Sequence, residues 1–440
     1  MQKLLGNGYS NFTHALEEKA PVSIRLNRAK VESENNLPVV PWCSSGRYLN
    51  ERPVFTLDPT FHGGAYYVQE ASSMFLEQAL KQSVDLNQSL NVLDLCAAPG
   101  GKSTHLLSLI NSTSLLVSNE VIRSRASILS ENIQKWGYAN TIVTNNDPDH
   151  FQSLKGFFDV IVVDAPCSGE GLFRKEPEAI KEWSPENVDL CWKRQRRILN
   201  DIWPSLKTGG TLLYSTCTYN RFENEDNLLW IKNQWDARFI PLKISSDWGI
   251  EEVHEGDITG YHCYPHKVRG EGFFISVIQK IGEQDSVKLK MKKKIFQKPS
   301  PKIIEQLHQR VTNPLDKQFL MWKDSVLMVP AQKSEAVDFI TQHLHIVSTG
   351  TTIGELKHEK IIPDHAFALS IDANKHFFNQ LALTKEQALQ YLRKDVLHVE
   401  TVKKGFAQVT YEGVSLGWAN VLDNRINNMY PANWRIRMAG

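Results

Sequence analysis

Two cysteines stand where a reactive thiol would be useful. Cys167 lies in D-A-P-C-S-G-E-G and Cys217 in Y-S-T-C-T-Y, each just past a short apolar run. Asp164 shortly precedes the first thiol, and Pro166 stiffens the turn between them. A cysteine alone is most often a small buried hydrophobe. Two of them beside a carboxylate at one ligand-binding edge point instead to covalent, nucleophilic chemistry. Such a set suffices for methylation at carbon 5 of a cytosine. That carbon is too weak a nucleophile to attack a methyl sulfonium directly, but addition of a thiolate to carbon 6 makes an enamine that can. An acid near ring N3 supports the developing charge. Afterwards the carbon-5 proton leaves and the thiolate is expelled. From the residues alone, either thiol could be the nucleophile.

A second cluster reads as a ligand cradle. Asp94 ends an apolar run and opens into Cys96-Ala97-Ala98-Pro99-Gly100-Gly101-Lys102. Glycines between a strand and a helix let backbone approach a ligand closely. The dinucleotide fingerprint G-x-G-x-x-G is absent, and the Gly-Gly-Lys-Ser string lacks the first glycine of a phosphate-binding loop. Glu120 lies about 26 residues past Asp94, where a carboxylate grips a ribose diol. Asp147, one strand on, falls near an adenine edge. No basic cradle surrounds these groups, so an adenosine without phosphates is expected, and S-adenosylmethionine fits better than NAD or ATP.

These residues need a scaffold that gathers strand ends. From about Glu70 to Gln279, short apolar runs alternate with helical stretches. The runs are Leu90–Leu95, Ser114–Asn119, Thr141–Asn145, Phe158–Val163 and Thr211–Thr216, with helices expected over Ser103–Ile110 and Ile122–Trp136. Buried strands alternating with helices imply a parallel α/β sheet. Its ligands bind at the carboxyl ends of the strands, and an acid or a thiol follows each run. Arg238–Lys243 and Gly272–Gln279 read as closing strands. Before this region, Val22–Asn27 reads as a strand, and prolines break up the segment between it and Glu70. After the region, Ser286–Pro301 is dominated by lysine and reads as a linker or a phosphate-contacting strap. From Lys302 onward short β pieces prevail, including Phe406–Tyr411 and Gly413–Trp418, with a helix over Thr384–Leu392.

Bulk properties exclude several classes. The 440 residues suggest two or three domains, and a net charge of +1 confines any nucleic-acid site to a local patch. Six cysteines without a C-x-x-C pair argue against a disulfide scaffold or a zinc ribbon. No signal-like or membrane-spanning run occurs, so a cytoplasmic chain with free thiols, no membrane partner and no metal is expected.

The strings DLCAAPGGKSTHL, FDVIVVDAPCSGEG and LLYSTCTYNRFENE resemble the Nol/Nop/Sun family of RNA cytosine-5 methyltransferases. GGAYYVQEASSM and HKVRGEGFFISV support this, and the resemblance covers most of Met1–Gln279. The tail YEGVSLGWANVLDNRINNMYPANWRIRM resembles that of the RsmF-type members, which methylate small-subunit ribosomal RNA. Those members usually carry a lysine soon after the Gly-Trp, where Ala419 and Asn420 stand here, so one RNA contact is in doubt. The resemblance implies a class I, Rossmann-like methyltransferase sheet with a small N-terminal α/β extension and a C-terminal β-rich, PUA-like module. Expected boundaries are 1–69 for an RNA-binding extension, 70–282 for the methyltransferase, 283–301 for a Lys-rich linker and 302–440 for the PUA-like region.

The same resemblance implies roles. Cys96 to Lys102 form the cofactor loop, Glu120 holds the ribose and Asp147 the adenine side. Asp164 serves the methionine end and the target cytosine. Cys217 is the nucleophile, Cys167 assists release, and Arg125 is an additional cofactor contact. The implied partner is ribosomal RNA or a ribosomal subunit. From the residues themselves, a tethered multi-domain chain needs no second copy, so a monomer is expected, and Arg28, Tyr66, Tyr67 and the Lys288–Lys298 strap read either as RNA contacts or as core tyrosines and solubilising charges. Rival readings are the same chemistry on transfer RNA or large-subunit RNA, a non-catalytic assembly factor, and a small-molecule or protein methyltransferase. The intact thiol pair argues against the last two.

Overall fold

The computed structural model describes the chain except residues 33–35, 177, 283–293, 398, 400–402, 424 and 439–440. Most of the Lys-rich strap therefore lies outside the described residues. Lys294 and Lys298 are described and exposed.

The five apolar runs form the parallel heart of a ten-stranded sheet. They span Asn91–Asp94, Leu115–Asn119, Thr141–Thr144, Phe158–Asp164 and Leu206–Thr216. Their Val, Leu and Ile side chains are buried on both faces because helices cover both sides. Asn91–Asp94 pairs in parallel with Leu115–Asn119 on one side and with Phe158–Asp164 on the other. Chain order reverses there. In open α/β sheets such a switch point leaves a crevice above the strand ends.

Beyond Leu206–Thr216 the sheet turns antiparallel through Phe273–Lys280, Ile258–Cys263 and Glu251–Glu255. The last two were not expected from the sequence. Ala237–Phe239 pairs with the edge of Phe273–Lys280, shorter than the expected Arg238–Lys243. The other edge is closed from far along the chain: Ile346–Thr349 pairs antiparallel with Thr141–Thr144. Asn146 and the backbone of His345 exchange two hydrogen bonds of 3.0 Å beside it.

The N-terminal region is a four-stranded sheet in which Val22–Leu26 lies between Cys43–Leu49 and Tyr66–Val68. It is fastened to the helix after the cofactor loop. Buried Arg25 donates to Gln69 Oε1 at 2.7 Å and to Thr104 Oγ1 at 2.6 Å, and lies 4.5 Å over the Trp136 ring. Burial lowers its pKa to about 10. Alongside, the Glu77 carboxylate accepts from Cys43 Sγ at 3.1 Å, from Lys81 at 2.6 Å, and meets His105 Nε2 at 3.1 Å. Tyr66 and Tyr67 are half-buried; Tyr66 donates to Asp58 at 2.7 Å and Tyr67 packs against Gly101. Arg28 is exposed.

The β-rich region after Lys302 is built on two four-stranded sheets that share a core, in which Phe319, Val326 and Ile353 of the first meet Trp418 of the second. The first runs through Lys317–Trp322, Ser325–Pro330, Thr351–Lys357 and Lys360–Pro363. Its Leu320 and Val329, with Phe339 and Ile340 of the helix Ser334–His343, belong to one core with Leu93, Val117, Phe151 and Phe157 of the central region. The second contains Asn379–Ala382, Gly405–Tyr411, Val414–Val421 and Ile426–Asn428. The helix Lys385–Arg393 packs on it, begun by Thr384 and Gln387 in a reciprocal capping box. Among the described residues no helix is long and apolar enough to cross a membrane.

Candidate active site

The crevice at the switch point is a cavity of about 600 Å³. Cys96, Ala98, Glu120, Arg125, Asp164, Cys167 and Cys217 all line it. Residues spread over more than a hundred positions thus meet because the segments that follow neighbouring parallel strands converge at one sheet edge.

The loop after Asn91–Asp94 is held by its surroundings. Gly100 has φ +114°, left-handed backbone that favours glycine, and heads the helix Gly101–Leu109. Arg125 donates to Ala98 O at 2.9 Å, and Asn132 donates to Pro99 O at 2.8 Å. Arg125 also pairs with Glu120 at 3.2 Å, while the Ile122 N–H donates to the other Glu120 oxygen at 2.9 Å. Asp94 is fully buried at the floor. One oxygen accepts from Ser103 at 2.6 Å; the other has no hydrogen-bond partner. Burial raises its pKa to about 7.

Asp147 is placed differently from its neighbours. It caps the turn Pro148–Leu154, and its carboxylate takes two hydrogen bonds from Arg197 at 2.9 and 3.2 Å. Those bonds, with smaller contributions from its neighbours, lower its pKa. Pro148 and Arg197, not Asp147, form the cavity wall there.

At the other end, Lys102 pairs with Asp164 at 2.7 Å, and Ser215 donates to the second Asp164 oxygen at 2.8 Å. Burial disfavours the Lys102 charge, but the adjacent Asp164 more than offsets it, so the pKa rises. The two thiols meet: Cys167 Sγ and Cys217 Sγ are 2.8 Å apart, both unoxidised. The Cys217 N–H also points at Cys167 Sγ at 3.3 Å. The hydrogen bond to Cys217, then burial, pushes the Cys167 thiol well above its usual range.

Comparison with known proteins gives the family. Residues 81–279 match the family model described as 16S rRNA methyltransferase RsmB/F. Residues 1–71 match the N-terminal domain of 16S rRNA methyltransferase RsmF, and 378–436 the methyltransferase RsmF PUA domain. The ribosomal RNA small subunit methyltransferase F of Salmonella agona is 31% identical over 451 residues, covering 96% of this chain and 92% of that protein. The chain belongs to the small subunit methyltransferase F family. As a member of that family it is an RNA cytosine-5 methyltransferase that uses S-adenosylmethionine. A methyltransferase homologue from Pyrococcus horikoshii is 28% identical with a TM-score of 0.54, over 63% of this chain and 92% of that one. NSun6 from the same organism, solved with SFG, shares the fold at 19% identity and a TM-score of 0.53, over 64% and 97%.

The crevice of this F-family member fits the donor. Cys96, Ala98, Glu120 and Asp164 line a cavity of about 600 Å³, and the Glu120 carboxylate is fixed at its wall by the Ile122 N–H and Arg125.

Sequence reasoning missed the residues that hold the thiols together. Glu170 accepts from Thr218 Oγ1 at 2.8 Å, the Tyr219 N–H at 2.9 Å and Trp183 Nε1 at 2.9 Å. Glu223 accepts from the Ser168 N–H at 3.0 Å, Gln195 at 2.7 Å and Asn220 at 2.7 Å; burial nevertheless raises its pKa. Each buried carboxylate follows one cysteine and bonds the loop of the other. Gly171 completes the clamp, its N–H donating to Cys217 O at 2.8 Å. The glutamates in C-S-G-E-G and N-R-F-E-N-E were the available signal, since neither string continues a regular apolar pattern.

Proposed function

We propose that the chain methylates carbon 5 of a cytosine in small-subunit ribosomal RNA through a covalent Cys217–carbon 6 adduct. The observation that carries this is the 2.8 Å contact between Cys167 and Cys217 in the crevice that also holds Asp164. S-adenosylmethionine supplies an electrophilic methyl group when bound. The cofactor residues would be Cys96, Ala97, Ala98, Pro99, Gly100, Gly101 and Lys102, with Glu120 on the ribose. Arg125 acts by holding Glu120 and Ala98 in place. Asp147 serves the adenine side from the rim, through its pairing with Arg197.

Cys217 Sγ adds to carbon 6, its own proton passing by way of Asp164 to N3, and the ring electron pair moves toward carbon 5. The Lys102–Asp164 pair orients N3 and stabilises its proton. Carbon 5 then takes the methyl group. Loss of the carbon-5 proton to solvent water restores the carbon 5–carbon 6 double bond and expels Cys217 Sγ, while N3 returns its proton to the Lys102–Asp164 pair. The Cys167 thiol, held protonated beside that sulfur, donates to it as it departs. A cytosine in a duplex must be flipped out or presented in a loop to reach this depth.

The division of labour we propose is 1–69 as an RNA-binding extension, 70–282 as the catalytic region and 302–440 as a PUA-like RNA-binding region. The named relatives act on small-subunit ribosomal RNA, which supports the substrate.

The test is adduct trapping. Full-length Cys167→Ala and Cys217→Ala chains are expressed in cells and run on denaturing gels with and without ribonuclease. The Cys167 variant is expected to carry RNA that survives denaturation, and the Cys217 variant none. Sequencing the trapped RNA names the substrate, and transfer RNA or large-subunit RNA there would overturn the small-subunit reading. A trap in the Cys217 variant alone reverses the thiol roles.

A further inference from the structure

Three guanidinium groups line the crevice: Arg125, Arg194 and Arg197. Two are committed. Arg125 holds Glu120 and Ala98 O, and Arg197 holds Asp147. Lys102, in the same site, is committed to Asp164. Arg194 is exposed and makes no hydrogen bond or ion pair among the described residues.

Its position on the helix Pro185–Ile202 is well defined. The next residue, Gln195, donates to Pro166 O at 3.0 Å and to Glu223 at 2.7 Å, so this part of the helix is locked to the Cys167 loop. Arg196 faces elsewhere, stacked 4.1 Å over Trp192 and bonded to Asn227. Arg197 marks the adenine-side rim. Arg194 therefore stands beside the thiol loops with its charge uncommitted. The chain as a whole is near neutral, so such a local cation counts for more than it would on a basic protein.

We propose that Arg194 holds a backbone phosphate next to the target cytidine and so anchors the substrate strand in the crevice. A guanidinium presents a planar fork that matches two phosphate oxygens. A substrate strand entering this crevice brings a phosphate with each nucleotide and needs a cation that no carboxylate already occupies. The inference rests on the RNA reading above. A bound carboxylate of the methyl donor is the competing anion, and the experiment separates the two.

The probes are small-subunit ribosomal RNA stripped of protein and S-adenosylhomocysteine. Affinity for each is measured for the full chain, Arg194→Ala and Arg194→Lys across a potassium chloride series. Arg194→Ala is expected to weaken RNA binding about tenfold near 0.1 M salt, the size of one charge-assisted contact. The slope of log affinity against log salt should fall by about 0.7, the value for one single-strand phosphate contact. KM for RNA rises with kcat within about twofold, Arg194→Lys recovers the slope, and S-adenosylhomocysteine affinity is unchanged. An unchanged salt slope in Arg194→Ala overturns the proposal, as does a loss confined to S-adenosylhomocysteine. An unsubstituted chain that neither binds nor methylates that RNA overturns the underlying reading, and this inference with it.

Discussion

Asp94 is a carboxylate whose surroundings favour its proton. It is fully buried, one oxygen has no partner, and burial raises its pKa to about 7. The folded state therefore binds the proton more tightly than the unfolded chain. Its contribution to stability is complete below about pH 4, the unfolded value, and is lost as pH rises toward 7. Asp94→Asn keeps the shape and removes the titration. Urea denaturation across this range should show the unsubstituted chain losing about 1.4 kcal/mol per pH unit relative to the variant. Parallel curves for the two proteins would mean that Asp94 does not titrate there. Lys102 makes a different case. Its ammonium is the charge partner of Asp164 inside the site. Lys102→Met should lower single-turnover methylation by roughly a hundredfold, the scale of one lost charged hydrogen bond, and leave the melting temperature within a few degrees.

At the scale of elements, the thiols meet because two loops are tied to each other rather than because either is rigid alone. Glu170 belongs to the first loop and bonds the second, while Glu223 does the reverse. Between them the backbones approach so closely that no side chain fits. A Cβ on Gly171 would lie 2.6 Å from Gly272 O and 2.8 Å from Cys217 O, both backbone atoms that cannot swing aside. Gly171→Ala must push the Cys217 loop outward. We expect kcat to fall at least tenfold while a circular dichroism spectrum stays native, because a displacement of about 1 Å in a preorganised site costs that much or more. Full activity in this variant would show that the clamp does not set the thiol geometry.

For the whole molecule, the catalytic sheet is completed by residues from beyond its own stretch of sequence. Ile346–Thr349 covers the edge of Thr141–Thr144, and Phe339 stacks on Phe157 with ring centres 5.7 Å apart. A chain ending at residue 282 would expose that edge and uncover the Phe157 ring on which Phe339 stacks. Open edges and bare apolar surface both promote association. Such a truncation is expected to elute as aggregate in size-exclusion chromatography; a well-behaved monomer would mean that the shared core contributes little.

Much of this was legible in the residues. Alternation of apolar runs with helical periodicity specified the parallel sheet, because burial on both faces demands nearly continuous Val, Leu and Ile, as in Phe158–Asp164. The same pattern placed Cys96, Glu120, Asp164, Cys167 and Cys217 at one edge, since every parallel strand ends on the same side. Local patterns could not reveal what depends on distant partners. The strand Ile346–Thr349 is set by an unfilled edge some two hundred positions earlier in the chain. Asp147 turned toward Arg197 because a helix laid that guanidinium beside it, and Arg194 makes no ion pair among the described residues. Chemistry at a strand end follows from local sequence; the partner each charge finds is decided by packing.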